Sequence, residues 1–375
     1  DIGYVRLDKF AETSTDELRA AITDMKDNMG VKKLILDLRS NGGGLLDQAI
    51  SIANLFLPKD RLVVSTRGKY PTSQRKYNSN NEPLFPDGDL VVLVNGGTAS
   101  ASEIVSGAIQ DWDRGIIVGN TTFGKGLVQQ IFGGGDGEMA LKLTTAKYYT
   151  PSGRCIQRPD RAHKGWQQEL IAGEADSTLN EKGDEIEDKS EVYLTNAGRK
   201  VYGGGGIIPD VEVQEETWQP IEYNLVRKNM FFEFAIEYTT EHPNIPEDFK
   251  VTDDMVNEFH KFIQKQGFDY KTALEVDLDK FEKTAEDAKK EQLFASEVTK
   301  LHDLIDQEKE KDFNKSLDYI RQSIQREILR KEYGERGIYQ ELTLKQDKYV
   351  QKAVELLKDH TEYGNLLKPK NDDQG

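Results

Sequence analysis

A single cysteine, Cys155, among 375 residues excludes an intrachain disulfide framework and any multi-cysteine metal site. Long apolar runs are missing as well. Nothing approaches the roughly 18 consecutive apolar residues that span a bilayer, and no signal-peptide pattern is visible. Basic residues are in deficit, 50 against 66 acidic, for a formal net charge of -16. Neutralising phosphates needs clustered Lys and Arg, so a nucleic-acid-binding surface is not expected. Histidine is scarce, and none precedes His163. The commonest base for activating a serine is therefore absent from the glycine-rich first part of the chain. Glycine in turn becomes rare beyond Glu216.

What remains is 37% apolar and 31% charged, the composition of a globular chain with a heavily solvated surface. It opens on Asp1 in a strand-like DIGYVRL without an initiator Met, as a processed or trimmed product would. Gly3–Leu7 reads as a strand, and Ser14 followed by Glu17 as a capping box for a helix ending near Gly30. Leu34–Leu38 is a short buried-strand run that breaks at Asn41-Gly42-Gly43-Gly44. Leu45, Ala49, Ile52 and Leu55 then repeat at helical spacing. Leu62–Val64, Leu90–Val94 and Gly115–Gly119 are further strands, with a helix from about Ser100 to Trp112. Strands and helices in alternation, with unbroken apolar strands, predict an α/β fold with a largely parallel, covered sheet.

The stretch from about 158 to 190 is polar and acidic and reads as an insertion in a first domain spanning 1–215. Residues 216–375 read as a charged helical domain. Its stripes, Val298/Leu301/Ile305, Leu317/Ile320/Ile324/Ile328 and Val350/Val354/Leu357, predict helix faces packed in a small core. Lys368–Gly375 should fray.

Chemistry concentrates where strands give way to glycine. In Asn95-Gly96-Gly97-Thr98-Ala99-Ser100-Ala101-Ser102-Glu103 an apolar strand ends, the chain turns and a helix begins. N–H groups at a helix start have no intrahelical partner and carry partial positive charge, so a serine there sits beside oxyanion donors. An ordinary N-cap is the bland alternative. The Asn41–Gly44 turn falls at the same carboxyl edge if the strands are adjacent and parallel, where open α/β sheets place ligands. Two such turns make a better oxyanion candidate than one. The base candidate is Lys125 of Thr122-Phe123-Gly124-Lys125-Gly126, which must lose its charge by desolvation to act. A surface turn lysine is its bland counterpart. A phosphate-binding loop over Gly119–Lys125 is disfavoured, because Gly126 stands where a magnesium-ligating Ser or Thr is needed and Leu127–Gln130 alternates like a strand.

Taken together, IGYVRL, LILDLRSNGGGLL, VVLVNGGTASASEIVSGAIQD, VGNTTFGKGLVQQ, KYYTPSGRCIQ and GGGGIIPDV resemble the carboxyl-terminal processing peptidases, or tail-specific proteases. The resemblance covers roughly the first 213 residues. It implies a ClpP/crotonase-like core, Ser100 as nucleophile, Lys125 as general base twenty-five positions on, and Gln129 orienting the lysine. It implies oxyanion donors at Ala101 and in the Gly43/Gly44 region, and Asp111 as an auxiliary carboxylate. The implied reaction is hydrolysis of proteins near their carboxyl termini through an acyl-enzyme, with no metal or cofactor, in the bacterial periplasm or cell envelope. Partners would be protein or peptide substrates with accessible C-terminal tails, and the helical region is a candidate surface for self-association or an adaptor. Such enzymes usually carry a PDZ domain just before the strand at which this sequence begins. A silent binding protein and an acyl-CoA enzyme on a related core are the alternatives.

Overall fold

The computed structural model describes residues 1–133, 140–158, 191–214 and 218–369. The polar insertion expected at about 158–190 lies outside them from residue 159 on, as do residues 370–375 of the tail expected to fray. The chain divides into two compact units, 1–215 with 348–375, and 216–347.

In the first unit the elements run β1 (Ile2–Arg6), α1 (Ser14–Met29), β2 (Lys33–Asp37), α2 (Leu46–Ala53), β3 (Leu62–Gly68), β4 (Arg75–Asn78), β5 (Asp89–Val94), α3 (Ala101–Asp111) and β6 (Ile116–Gly119). Then come β7 (Leu127–Gly133), β8 (Ala140–Tyr149), β9 (Val192–Leu194), β10 (Lys200–Tyr202) and β11 (Val211–Glu212). One sheet has the order β1-β2-β5-β6-β11 with every pairing parallel, as the apolar strands predict. A second, antiparallel sheet runs β4-β3-β8-β7, and β9 pairs with β10.

Alternate residues of a strand face opposite sides, and both sides of the parallel sheet are dry. Leu34, Leu36, Leu90, Val92 and Ile117 join a core with residues of α1, α2 and α3. Ile35, Val91, Leu93, Ile116 and Val118 join a second core. That second core is closed by residues of α10 (Lys348–Lys358) and α11 (His360–Leu366). The expected stripe of Val350, Val354 and Leu357 therefore packs on the sheet. Segment 348–375 goes with the first unit, away from residues 216–347 with which the sequence grouped it. The reason is the otherwise bare apolar face of β2, β5 and β6.

The Ser14/Glu17 capping box does not form. Thr13 takes the N-cap position and its Oγ1 donates to Glu17 Oε1 at 2.6 Å, while Ser14 Oγ donates to the Lys9 carbonyl at 2.9 Å. The helix does end at Gly30, in the left-handed conformation that glycine favours.

The second unit is helical: α4 (Pro220–Arg227), α5 (Met230–Glu241), α6 (Asp253–Lys265), α7 (Ala273–Asp287), α8 (Glu291–Lys315) and α9 (Leu317–Ile338). Its core sets Ile320, Ile324 and Ile328 among aromatic rings, with Phe231 stacked on Phe259 and Phe234 edge-on to it. The Val298/Leu301/Ile305 stripe on α8 is not buried in this way, and Leu301 stays 46% exposed.

Candidate active site

β2, β5 and β6 are neighbours in the parallel sheet, so the chain leaves all three at one edge. The Asn41–Gly44 turn follows β2, the turn into α3 follows β5, and the loop carrying Lys125 follows β6. A cleft of about 520 Å³ opens there, lined by Gly42, Gly43, Gly44, Ser100, Lys125 and Gln129 together with Asp8, Lys9, Leu127, Lys142 and Tyr148. Three loops distant in sequence, with β7, thus bring Gly43, Gly44, Ser100, Lys125 and Gln129 to a single hollow.

Ser100 caps α3 with φ 58° and ψ -111°. Positive φ is costly for a residue with a side chain and persists only where the surroundings enforce it. They do so through Glu103, one turn into the helix and fully buried. Its Oε2 accepts the N–H groups of Ser100 and Lys125, each at 2.8 Å. Its Oε1 accepts the Gly124 N–H at 2.7 Å and the Thr122 hydroxyl at 2.6 Å. One carboxyl group therefore ties the serine turn to the lysine loop. Burial raises its pKa, against the four donors, which favour the ionised form. Because N–H groups only donate, a carboxylate suits this pocket better than an acid. Sequence reasoning passed over Glu103, although the Ser-x-x-Glu spacing at a helix start was the signal for it.

The glycine turn comes equally close. A Cβ on Gly43, at φ 92°, would lie 2.7 Å from the Ala99 carbonyl oxygen and 2.8 Å from the Ala101 nitrogen. Only glycine fits against the first N–H of α3. Gly43's own N–H donates to Asn41 Oδ1 at 2.9 Å, so it must leave that partner before it can meet an oxyanion. Gly44 also lies in the cleft wall.

Lys125 is half-buried and its amine is held below the ordinary lysine range, by desolvation first and the charge of Lys142 second, with Glu103 opposing. Gln129 lies on β7 opposite Thr144 of β8. Asp111 is not in the cleft. It ends α3, about 16 Å along the axis from Ser100 at 1.5 Å per residue. There its Oδ1 pairs with Arg154 Nη2 at 2.8 Å and its Oδ2 accepts the Ser152 N–H at 2.9 Å, both side chains of the ion pair being wholly buried. Its contacts are those of a brace between α3 and the Pro151–Arg154 turn. Among the described residues no histidine lines the cleft; His163 lies outside them. His360 pairs with Asp89 Oδ2 at 3.2 Å, at the opposite end of β5. No group of residues that could hold a metal ion occurs among the described residues.

Residues 1–162 match the family description "Peptidase family S41". A second description, "Probable PDZ-protease, C-terminal helical domain", matches residues 221–357. Similar to the S41 segment is a carboxy-terminal-processing protease of Bartonella bacilliformis, 44% identical over 204 residues, which are 50% of this chain and 46% of that protein. A carboxyl-terminal-processing protease of Synechocystis is 43% identical over 157 residues, 42% of this chain and 36% of the relative. The chain thus spans less than half the length of these relatives. Among solved structures, a photosystem II D1 C-terminal processing protease is 38% identical at a TM-score of 0.38, covering 42% of this chain and 39% of the other.

Proposed function

We propose that this chain is a serine endopeptidase that cleaves proteins near their carboxyl termini through Ser100 and Lys125. The observation that carries the reading is the shared cleft: Ser100, Lys125, Gln129 and the glycine turn line one hollow, and Glu103 binds the serine and lysine segments to each other. The match of residues 1–162 to peptidase family S41 and the names of their relatives support the same reaction class.

In this reading Lys125 works as a neutral amine. It takes the Ser100 hydroxyl proton as Oγ attacks the scissile carbonyl carbon, and the oxyanion forms against the Ala101 N–H and the Gly43/Gly44 turn. The resulting ammonium gives the proton to the departing amine as the peptide C–N bond breaks, leaving an ester on Ser100. Water then attacks the ester, Lys125 takes its proton and returns it to Oγ, and a carboxylic acid product leaves. Gln129 holds the lysine toward the serine. The chemistry needs no metal or cofactor. Substrates are protein chains with accessible C-terminal tails, met in the cell envelope or periplasm, and the helical unit serves self-association or an adaptor.

The test is cleavage of an unstructured protein by the wild type, Ser100→Ala and Lys125→Arg, with folding checked by circular dichroism. Both variants should lose activity by at least about 1,000-fold, since a triad-type member supplies that much and an arginine stays protonated. Equal cleavage by Ser100→Ala would discard the assignment.

A further inference from the structure

The geometry points to Tyr349, more than 200 positions from any residue of the cleft, as a positioning residue for both catalytic loops; this rests on the Ser100/Lys125 reading. Tyr349 sits in the first turn of α10 and is 9% exposed. Its two ends do different things. The hydroxyl donates to Asn120 Oδ1 at 2.6 Å. The ring lies under the Arg39 guanidinium, 4.9 Å from its carbon to the ring centroid.

Asn120 is the first residue after β6 and opens the loop that ends in Lys125. Its orientation is determined from three sides, because its Nδ2 also donates to the Val213 carbonyl at 2.8 Å and its N–H to the Val94 carbonyl at 3.2 Å. Glu103 secures the far end of that loop through the Gly124 and Lys125 N–H groups. Tyr349 secures its beginning.

Arg39 follows β2 and leads into the Asn41–Gly44 turn. Its guanidinium is clamped between the ring and the fully buried Asp37 carboxylate, with Nη2 2.6 Å from Oδ2 and Nε 3.0 Å from Oδ1. A planar cation held over a ring and in register with a carboxylate has little freedom left. One side chain of α10 therefore stands at the roots of two loops that must agree in position for attack and oxyanion binding. Misplacement on the ångström scale is what such chemistry tolerates least.

The experiment separates the two ends. Tyr349→Phe keeps the ring and removes the hydroxyl; Tyr349→Leu removes both. Hydrogen exchange should speed up over residues 120–126 in the Phe variant, with 39–44 unchanged, and over both segments in the Leu variant. The lost hydrogen bond should lower kcat by about five-fold at unchanged KM, with the melting temperature down by only about 2–4 °C, and loss of the ring should lower kcat by about ten-fold more. If Tyr349→Leu does not fold, Asn120→Ala must loosen the same 120–126 segment as the Phe variant, and adding Tyr349→Phe to Asn120→Ala must cost nothing further. Wild-type exchange at 120–126 in Tyr349→Phe, or loosening spread evenly over the unit, would overturn the proposal. Exchange is read without substrate, so it decides the point even if Ser100→Ala proves as active as the wild type.

Discussion

At the scale of a residue the problem is one amine. An unperturbed lysine is almost wholly charged at neutral pH and is useless as a base. Lys125 is moved down mainly by burial, helped by Lys142 and opposed by Glu103. Lys142 sits on β8 two residues before Thr144, which faces Gln129, so Lys142 and Gln129 are diagonal neighbours on one face of the hairpin. The other charged or titratable groups around the cleft are Asp8, Lys9 and Tyr148. A nearby cation destabilises the ammonium form, so replacing it should raise the Lys125 pKa. In the proposed mechanism activity needs the neutral amine; it follows that the acidic limb of the kcat/KM profile in Lys142→Met must move to higher pH. Because Lys142 is exposed and its charge partly screened, the loss at neutral pH should be about three-fold. Added salt should shift the wild-type limb the same way and barely shift the variant. A limb that stays in place would show that burial alone sets this amine. The sequence named Lys125 through its glycine flanks, but not Lys142, whose nearness depends on a bulge between Val128 and Gln129 that offsets the register.

At the scale of elements the site is an agreement between α3 and the loop after β6, and Glu103 is where they agree. Replacing it with Gln puts an amide nitrogen among N–H donors, so at least one buried donor loses its acceptor. That costs about 1–3 kcal/mol of stability. Since two of the donors belong to Ser100 and Lys125, kcat should fall by about 100-fold, with far less effect on KM. Thermal unfolding and steady-state kinetics read the two quantities separately, and a variant with full kcat would reduce Glu103 to a helix cap. Much at this scale was legible: β2, β5 and β6 announced themselves as unbroken apolar runs, and both glycine turns were found where strands end. The α1 cap was misassigned because Thr13 and Ser14 are chemically alike and only the chain path decides which oxygen faces Glu17. Asp111 shows the same limit. Its spacing from Ser100 is plain in the sequence, but its partner, Arg154, is forty-three residues away.

At the scale of the molecule, the closing helices α10 and α11 belong to the unit that holds the Ser100/Lys125 cleft. Tyr349, Val350, Leu356, Leu357 and Tyr363 are buried in the core that covers Val91, Leu93, Ile116 and Val118. At ~1.5–3 kcal/mol for each large side chain, these five contribute about 10 kcal/mol, as much as a typical domain's whole stability of roughly 5–15 kcal/mol. Removing residues 348–375 should therefore unfold the parallel sheet while leaving the melting of residues 216–347 in place. Calorimetry of the truncated protein checks this: one transition should vanish and one persist, and survival of both would mean that the sheet does not need its cover. The sequence by itself determined the parallel sheet and the two glycine turns, because apolar period and glycine are local properties; Ser100 and Lys125 as a pair it offered only through a family resemblance. Only the tertiary structure decided that Glu103 joins the two loops, that Asp111 serves an ion pair, and that a helix beyond residue 347 closes the sheet. Those are choices among partners of similar chemistry far apart in the chain, and packing alone selects between them.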